Sequence, residues 1–267
     1  MNFHAFDISL PGRTVLVTGS TTGMGQNIAR AFARSGARVA IHGLGEPAEL
    51  KSFVDELTTI SGQSSVHFEH DLSNARQGAQ LVEAAISQFG GINILINNAG
   101  VQFVSDIEDF PSDQWDRLLS VNLSAAFHTT KAALPGMKKN GWGRVINTAS
   151  TLALEGAVGK TAYVAAKHGI LGLTRAVALE SAEHGVTCNA ICPGWVYTPL
   201  AAAQFAAKAA ALGLSEEETV KQHFLNEMPT KRFVHPDEVA ATMLFLCSEM
   251  ACSITGVALP VDGGLLA

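Results

Sequence analysis

Ser150, Tyr163 and Lys167 place a hydroxyl, a phenol and an ammonium within eighteen residues of chain. Tyrosine and lysine four residues apart share one face of a helix, so the ammonium can sit beside the phenol and favour its ionised form. A phenol whose pKa is drawn toward neutrality can give and take a proton. A serine hydroxyl nearby could hold the oxygen at which that proton arrives. The bland alternative is a helix tyrosine packed beneath a loop.

A second constellation lies near the N-terminus, where Thr18-Gly19-Ser20-Thr21-Thr22-Gly23-Met24-Gly25 follows an apolar run and opens a helical pattern. Its glycines let backbone approach a pyrophosphate closely, and the helix N-terminus can meet the charge. The spacing G-x3-G-x-G differs from the commoner G-x-G-x-x-G, and alone it reads equally well as a tight turn. Asn97-Asn98-Ala99-Gly100 ends a later strand, and its amides and small residues suit contact with an adenosine ribose. A hydride moved on carbon needs a proton moved on the oxygen, which gives Tyr163 a task.

Elements must bring these groups together. Apolar strands are predicted over Thr14–Thr18, Arg38–Ile41, Ser65–His70, Ile92–Ile96, Arg144–Thr148, Thr187–Ile191 and Val257–Pro260. Helical periodicity covers Gly25–Ser35, Glu46–Ile60, Ala75–Phe89, Gln114–Lys138, Ala162–His184 and Pro236–Ser248. Strands alternating with helices make an α/β, doubly wound, parallel seven-stranded sheet with helices on both faces. The whole of 1–267 reads as one domain. Residues 198–228, rich in alanine, break the alternation. They leave the carboxyl end of the sixth strand, where open sheets place ligands, and so read as a helical lid; a surface or interface helix pair is the alternative.

Composition excludes several classes. The 267 residues are 47% hydrophobic and 16% charged with a net charge of -6, which gives no basic field for nucleic acid. Met1 to Pro11 carries no arginine-rich or long apolar run and no stretch approaches a membrane span, so a cytoplasmic protein is expected. Cys188, Cys192, Cys247 and Cys252 lack zinc spacing and read as reduced, packed thiols. The histidines, among them His42, His67, His70, His128, His168, His184 and His235, are scattered without ligand spacing, so no metal site is expected.

Together Thr18–Gly25, Asn97–Gly100, Asn122, Ser150, Tyr163, Lys167 and Pro193-Gly194 resemble the short-chain dehydrogenase/reductase family over nearly the whole chain. The resemblance implies a single Rossmann-type domain, assembly as a homotetramer and a nicotinamide cofactor. It assigns catalysis to Asn122, Ser150, Tyr163 and Lys167, with Asn122 positioning a water that links the lysine to solvent. It assigns the cofactor to Gly19, Thr21, Gly23, Met24, Gly25, Gly43, Leu44, Asp71, Leu72, Asn98, Gly100, Tyr163, Lys167, Pro193, Gly194, Val196 and Thr198. The usual coenzyme discriminator, an acid ending the second strand, is missing from Ala40-Ile41-His42-Gly43-Leu44-Gly45. No arginine or lysine follows that strand and Thr22 stands where NADP-preferring relatives often carry a basic residue, which favours NAD over NADP.

Within the family, Gly100-Val101-Gln102, Ile107-Glu108-Asp109-Phe110-Pro111, Tyr163–Gly169 and Ile191–Val196 are similar to bacterial D-3-hydroxybutyrate dehydrogenases. Carried over by position, Gln102, Lys160 and Gln204 would bind a substrate carboxylate beside Ser150 and Tyr163, and Trp195 would wall a small methyl pocket. One ammonium and two amides make a sensible carboxylate site. Two departures stand out. Leu152 replaces a histidine that would help hold the carboxylate, and Gly263-Gly264-Leu265-Leu266-Ala267 lacks an aromatic residue after its glycines. Three readings follow: a dehydrogenase of D-3-hydroxybutyrate and its keto acid, a relative acting on a longer hydroxy acid or an uncharged alcohol or ketone, and a cofactor-binding sensor without turnover.

Overall fold

Aliphatic runs without polar alternation form strands that can be buried on both faces. In the computed structural model, which describes residues 8–267, these are β1 (Thr14–Val17), β2 (Arg38–His42), β3 (Val66–Phe68), β4 (Ile94–Asn97), β5 (Gly143–Thr148), β6 (Val186–Pro193) and β7 (Ala258–Val261). The first seven residues of the expected 1–267 domain, and with them most of the Met1–Pro11 stretch, lie outside the described residues. All pairings are parallel, in the order β3-β2-β1-β4-β5-β6-β7. Every residue of β1, β4, β5 and β6 is buried, whereas the edge strands β3 and β7 are half-buried.

Nine α-helices are present among the described residues: α1 (Gly23–Arg34), α2 (Pro47–Ser61), α3 (Ala75–Phe89), α4 (Ser112–Leu119), α5 (Ala125–Lys139), α6 (Thr161–Ser181), α7 (Pro199–Leu212), α8 (Glu216–Val220) and α9 (Pro236–Cys247). Strand side chains alternate between two cores. Val15, Val17, Val39, Ile41, Ile94 and Ile96 pack against Ile28 and Phe32 of α1, Phe53 and Leu57 of α2, and Val239 and Met243 of α9. Leu16, Ala40, Leu95 and Val145 point the other way, onto Leu81 and Val82 of α3, Ala133 and Met137 of α5 and Val177 of α6.

The expected helix Gln114–Lys138 is in fact α4, a π-helical turn over Ser120–Ser124, and α5. The π turn shifts the hydrogen-bond register and cannot be seen in apolar periodicity. The expected third strand Ser65–His70 contracts to Val66–Phe68. The segment 198–228 is helical, holding α7, α8 and a π turn at Lys221–Leu225. Cys188, Cys192 and Cys247 are buried and free; Cys252, expected to be packed, is exposed just after the 3-10 turn at Glu249–Ala251 that follows α9. Sheet order reverses between β1 and β4, which opens a crevice at the carboxyl ends of the strands.

Candidate active site

The crevice is a cavity of about 1110 Å³ that runs from the turn after β1 to the start of α7. At one end the glycine turn is forced by contact. A Cβ on Gly19, which sits at φ 60°, would stand 2.7 Å from Ala99 Cα, and one on Gly25 would collide with the Gly19 carbonyl oxygen. Asn98 ties this turn to β4: its Nδ2 donates to the carbonyls of Thr18 and Gly19 at 3.0 Å, and Thr18 Oγ1 accepts from the Asn98 and Ala99 amides. Helix α1 opens at Thr22 with no side-chain cap and no acid in its first turn. By contrast, α3, α7 and α8 are capped by Asn74, Thr198 and Ser215. The amides of Gly23, Met24 and Gly25 therefore face the cavity as free donors, which fits a pyrophosphate.

Asp71 and Leu72 line the adjoining wall with Gly43 and Leu44. Ser73 donates both its amide and its hydroxyl to Asp71 Oδ1, and these bonds hold the Asp71 carboxyl below its usual pKa. Thr21 Oγ1 donates to the Leu44 carbonyl at 2.8 Å, joining the turn to the loop after β2.

At the centre, Ser150, Tyr163 and Lys167 come together as expected. Ser150 opens a 3-10 turn over Thr151–Ala153 and accepts from the Leu152 amide at 3.2 Å. Lys167 Nζ donates to the Thr148 carbonyl at 2.7 Å and lies 5.4 Å from the centroid of the Tyr163 ring. The electrostatics correct the expectation of a lowered phenol. Burial pushes Tyr163 up, against an opposing hydrogen bond from Ser150. Burial also brings Lys167 down to about 8, partly offset by Cys192. Desolvation penalises both charged forms, so each side chain is pushed toward its neutral form.

Asn122 stands apart from the other catalytic candidates. It lies in the π turn, buried, with Oδ1 accepting from the Val101 amide at 2.8 Å and Nδ2 donating to the Val101 carbonyl at 2.9 Å. Its side chain clamps the loop after β4 and does not line the cavity.

The far end holds the carboxylate candidates. Lys160 Nζ donates to Gln204 Oε1 at 3.1 Å and stacks 4.9 Å from the centroid of Trp195. Gln102 lines the same cavity with a buried Oε1 that has no partner in the chain. Burial lowers the Lys160 ammonium, and the charge of Glu227 opposes this. Trp195 both lines the cavity and packs beneath the 198–228 segment, 4.8 Å from Phe224 and 5.9 Å from Phe205 between ring centroids. Leu152 and Leu265 are on the wall as well.

Every sequence candidate except Asn122 borders this cavity, including Pro193, Gly194, Val196 and Thr198 at the end of β6. Sequence reasoning missed His42, His70, Arg117, Glu227 and Leu265 as cavity residues. His42 carried a signal, since it stands where a discriminating acid was sought; His70 adjoins the candidate Asp71 and Leu265 falls in the C-terminal departure, while Arg117 and Glu227 are distant in sequence from any motif. Among the described residues no group of three or more His, Cys, Asp or Glu side chains converges on one point, and no helix is long and apolar enough to cross a membrane.

Comparison with known proteins agrees with this geometry. A family model described as enoyl-(acyl carrier protein) reductase matches residues 19–266. The chain is 47% identical to a D-beta-hydroxybutyrate dehydrogenase of Rhizobium meliloti, over 94% of this chain and 98% of that one. A D-beta-hydroxybutyrate dehydrogenase of Cupriavidus necator is 46% identical over 97% of this chain and 99% of its own length. Among solved structures, a variant actinorhodin polyketide ketoreductase with NADPH superposes with a TM-score of 0.89 at 35% identity, covering 98% of this chain and 99% of the other.

Proposed function

The chain is an oxidoreductase of the short-chain dehydrogenase/reductase family, and from that premise we propose that it uses NAD to interconvert a small 3-hydroxy acid and its keto acid, D-3-hydroxybutyrate and acetoacetate first among them. The observation that carries this reading is the ammonium of Lys160, bonded to Gln204 and facing the same cavity as Ser150 and Tyr163. A half-buried cation with one amide partner and, among the described residues, no carboxylate within ion-pair distance wants an anion, and a substrate carboxylate supplies it. The two dehydrogenase relatives support the same substrate class.

Bound nicotinamide would supply or accept the hydride. Tyr163 Oη would take the proton from the substrate hydroxyl on oxidation and return it to the carbonyl oxygen on reduction, while Ser150 Oγ fixes that oxygen. A phenol raised by burial keeps its proton at neutral pH and suits the acid role. Lys167, when charged, favours its ionised form in the base role. With its side chain spent on Val101, Asn122 would serve a proton relay through its backbone carbonyl, in the π turn where the usual helical bond is displaced. NAD is favoured by the absence of any lysine or arginine between Gly43 and Pro47 after β2. The segment 198–228 acts as a lid, anchored through Phe205 and Phe224 on Trp195. A homotetramer in the cytoplasm completes the reading; Phe127 on α5 and Leu179 on α6, exposed by 45% and 82%, are the kind of apolar surface that subunits cover.

The test is reduction of NAD, with NADP in parallel, by D- and L-3-hydroxy acids of increasing length and by their esters. Preference for NAD and for D-3-hydroxybutyrate over its ester is expected, and equal turnover of acid and ester would defeat the carboxylate site. Leu152 and Leu265 favour a second reading: both put aliphatic carbon on the cavity wall, and a longer hydroxy acid would bury its tail there. An optimum beyond four carbons with the ester still rejected would support it.

A further inference from the structure

Strand β2 ends on His42, whose ring is 4% exposed and fully used. Nδ1 accepts from the Gly19 amide at 3.2 Å, and Nε2 lies 2.9 Å from the His70 carbonyl. A carbonyl only accepts, so Nε2 carries the proton and the ring is the neutral Nε2–H tautomer. The main chain repeats the link: the His42 amide donates to Ser20 Oγ at 3.0 Å, and its carbonyl accepts from the Ser20 amide at 2.8 Å. One residue thus joins the first half of the glycine turn to the loop that carries Asp71 and Leu72 onto the cavity.

We propose that His42 is a positioning residue for the dinucleotide, a neutral ring that locks the pyrophosphate turn to the adenosine wall and releases that lock when protonated. The inference rests on the dinucleotide part of the reading above and is independent of the substrate. A carboxylate at this position could bond ribose hydroxyls but could not donate to the His70 carbonyl. Here the side chain is turned inward, and the turn is held by the ring instead. Protonation puts a second N–H at Nδ1, facing the Gly19 amide, so the bond becomes a donor–donor clash and the turn loosens. Burial lowers the ring's pKa from its ordinary 6.5, which keeps the lock closed at neutral pH and places its release on the acid side of that value. The titratable groups facing it are few. His67 on β3 bonds the Gly43 carbonyl at 2.7 Å, and Glu69, His70 and Asp71 follow that strand. Strand β1 and the turn from Gly19 to Gly25 carry no ionisable side chain.

The experiment is coenzyme binding followed by tryptophan fluorescence at pH 7.5, 6.5 and 5.5, using NAD or whichever of NAD and NADP binds more tightly, with thermal melts in each buffer. The wild type is expected to bind at least fivefold more weakly at pH 5.5 than at 7.5. His42→Asn, which cannot ionise, is expected to bind at least tenfold more weakly than wild type at pH 7.5 and to show no slope. A flat wild-type profile, a His42→Asn profile with the wild-type slope, or His42→Asn affinity within twofold of wild type would overturn the proposal. Should His42→Asn fail to fold, His67→Asn and His70→Asn decide: a slope kept in both supports His42, and a slope lost in either assigns the titration elsewhere. Failure to bind either coenzyme at any pH sinks the dinucleotide reading itself, an outcome distinct from binding without a slope.

Discussion

The two ends of the cavity are built in opposite ways. At the proposed dinucleotide end the main chain faces the cavity: free amides of α1, a turn too tight for any Cβ at Gly25, and side chains such as Asn98 and His42 that point inward to brace backbone. At the proposed substrate end side chains line the cavity, and they arrive from four separate segments as Gln102, Leu152, Lys160 and Gln204. Backbone geometry is expensive to alter, because neighbours cannot move aside. Side-chain chemistry changes with one substitution, and the Leu152 departure is such a change. A family can thus keep one dinucleotide turn while it explores substrates.

The hardest test of this division acts at the seam between the halves. Tyr163→Phe removes the acid and base but keeps the ring that both ends meet, so kcat should fall by roughly 10²–10⁴-fold while coenzyme affinity and substrate KM change far less. A large change in either binding constant would mean that the halves are not separable. Next come two paired substitutions. Gly25→Ala drives a Cβ into the Gly19 carbonyl oxygen, and overpacking of this kind costs roughly 1–3 kcal/mol, read as weakened coenzyme binding whatever the substrate. Lys160→Ala removes one charged donor, about 1.5–3 kcal/mol, which raises KM for hydroxy acids by roughly 10–100-fold and leaves ester substrates and coenzyme binding unaltered. Cross-effects in steady-state kinetics, with Lys160→Ala weakening NAD, would break the comparison.

Smaller still is Leu152→His, which returns a donor to the far wall. It should lower KM for D-3-hydroxybutyrate about three- to tenfold, on the order of 1 kcal/mol, and reduce any preference for longer acids. No change in either would mean that Leu152 only packs.

The sequence carried the two ends unequally, for the same physical reason. Strand positions such as Val15, Leu16 and Val17 announce a strand buried on both faces by their unbroken apolar run, and the glycine turn announces itself by spacing once Asn97–Gly100 is set beside it, so the fold and the turn were readable. The substrate residues were readable only through resemblance, since nothing local to Gln102 or Gln204 distinguishes a ligand from a surface amide. The π turn was invisible because hydrogen-bond register leaves no trace in hydrophobic pattern. The bracing role of His42 was hidden because Gly19 and His70 lie 23 and 28 residues away. The expected lowering of Tyr163 failed because helical spacing sets proximity but not burial, and burial raises the phenol.

The smallest effect concerns stability at the seam. Lys167 is 4% exposed, and burial lowers it from an ordinary 10.5 to about 8. Below pH 8 the folded chain must hold that ammonium charged in a poor solvent, at about 3 kcal/mol relative to the unfolded state. Lys167→Met removes this cost but leaves the Thr148 carbonyl without its donor, worth about 1–3 kcal/mol, so a net gain near 1 kcal/mol is expected at pH 7. The variant should be inactive and melt about 2–4 °C higher. The sign of the pH dependence follows from a depressed folded-state pKa: wild-type stability rises between about pH 8 and 10.5, where the unfolded chain binds more protons, so the variant's advantage shrinks over that window and is full below it. Melting curves at pH 7, 9 and 10.5 check it. A variant clearly less stable than wild type at pH 7 would mean that the buried ammonium is already compensated, with Tyr163 ionised beside it, and the seam would then hold its charge as a preformed pair.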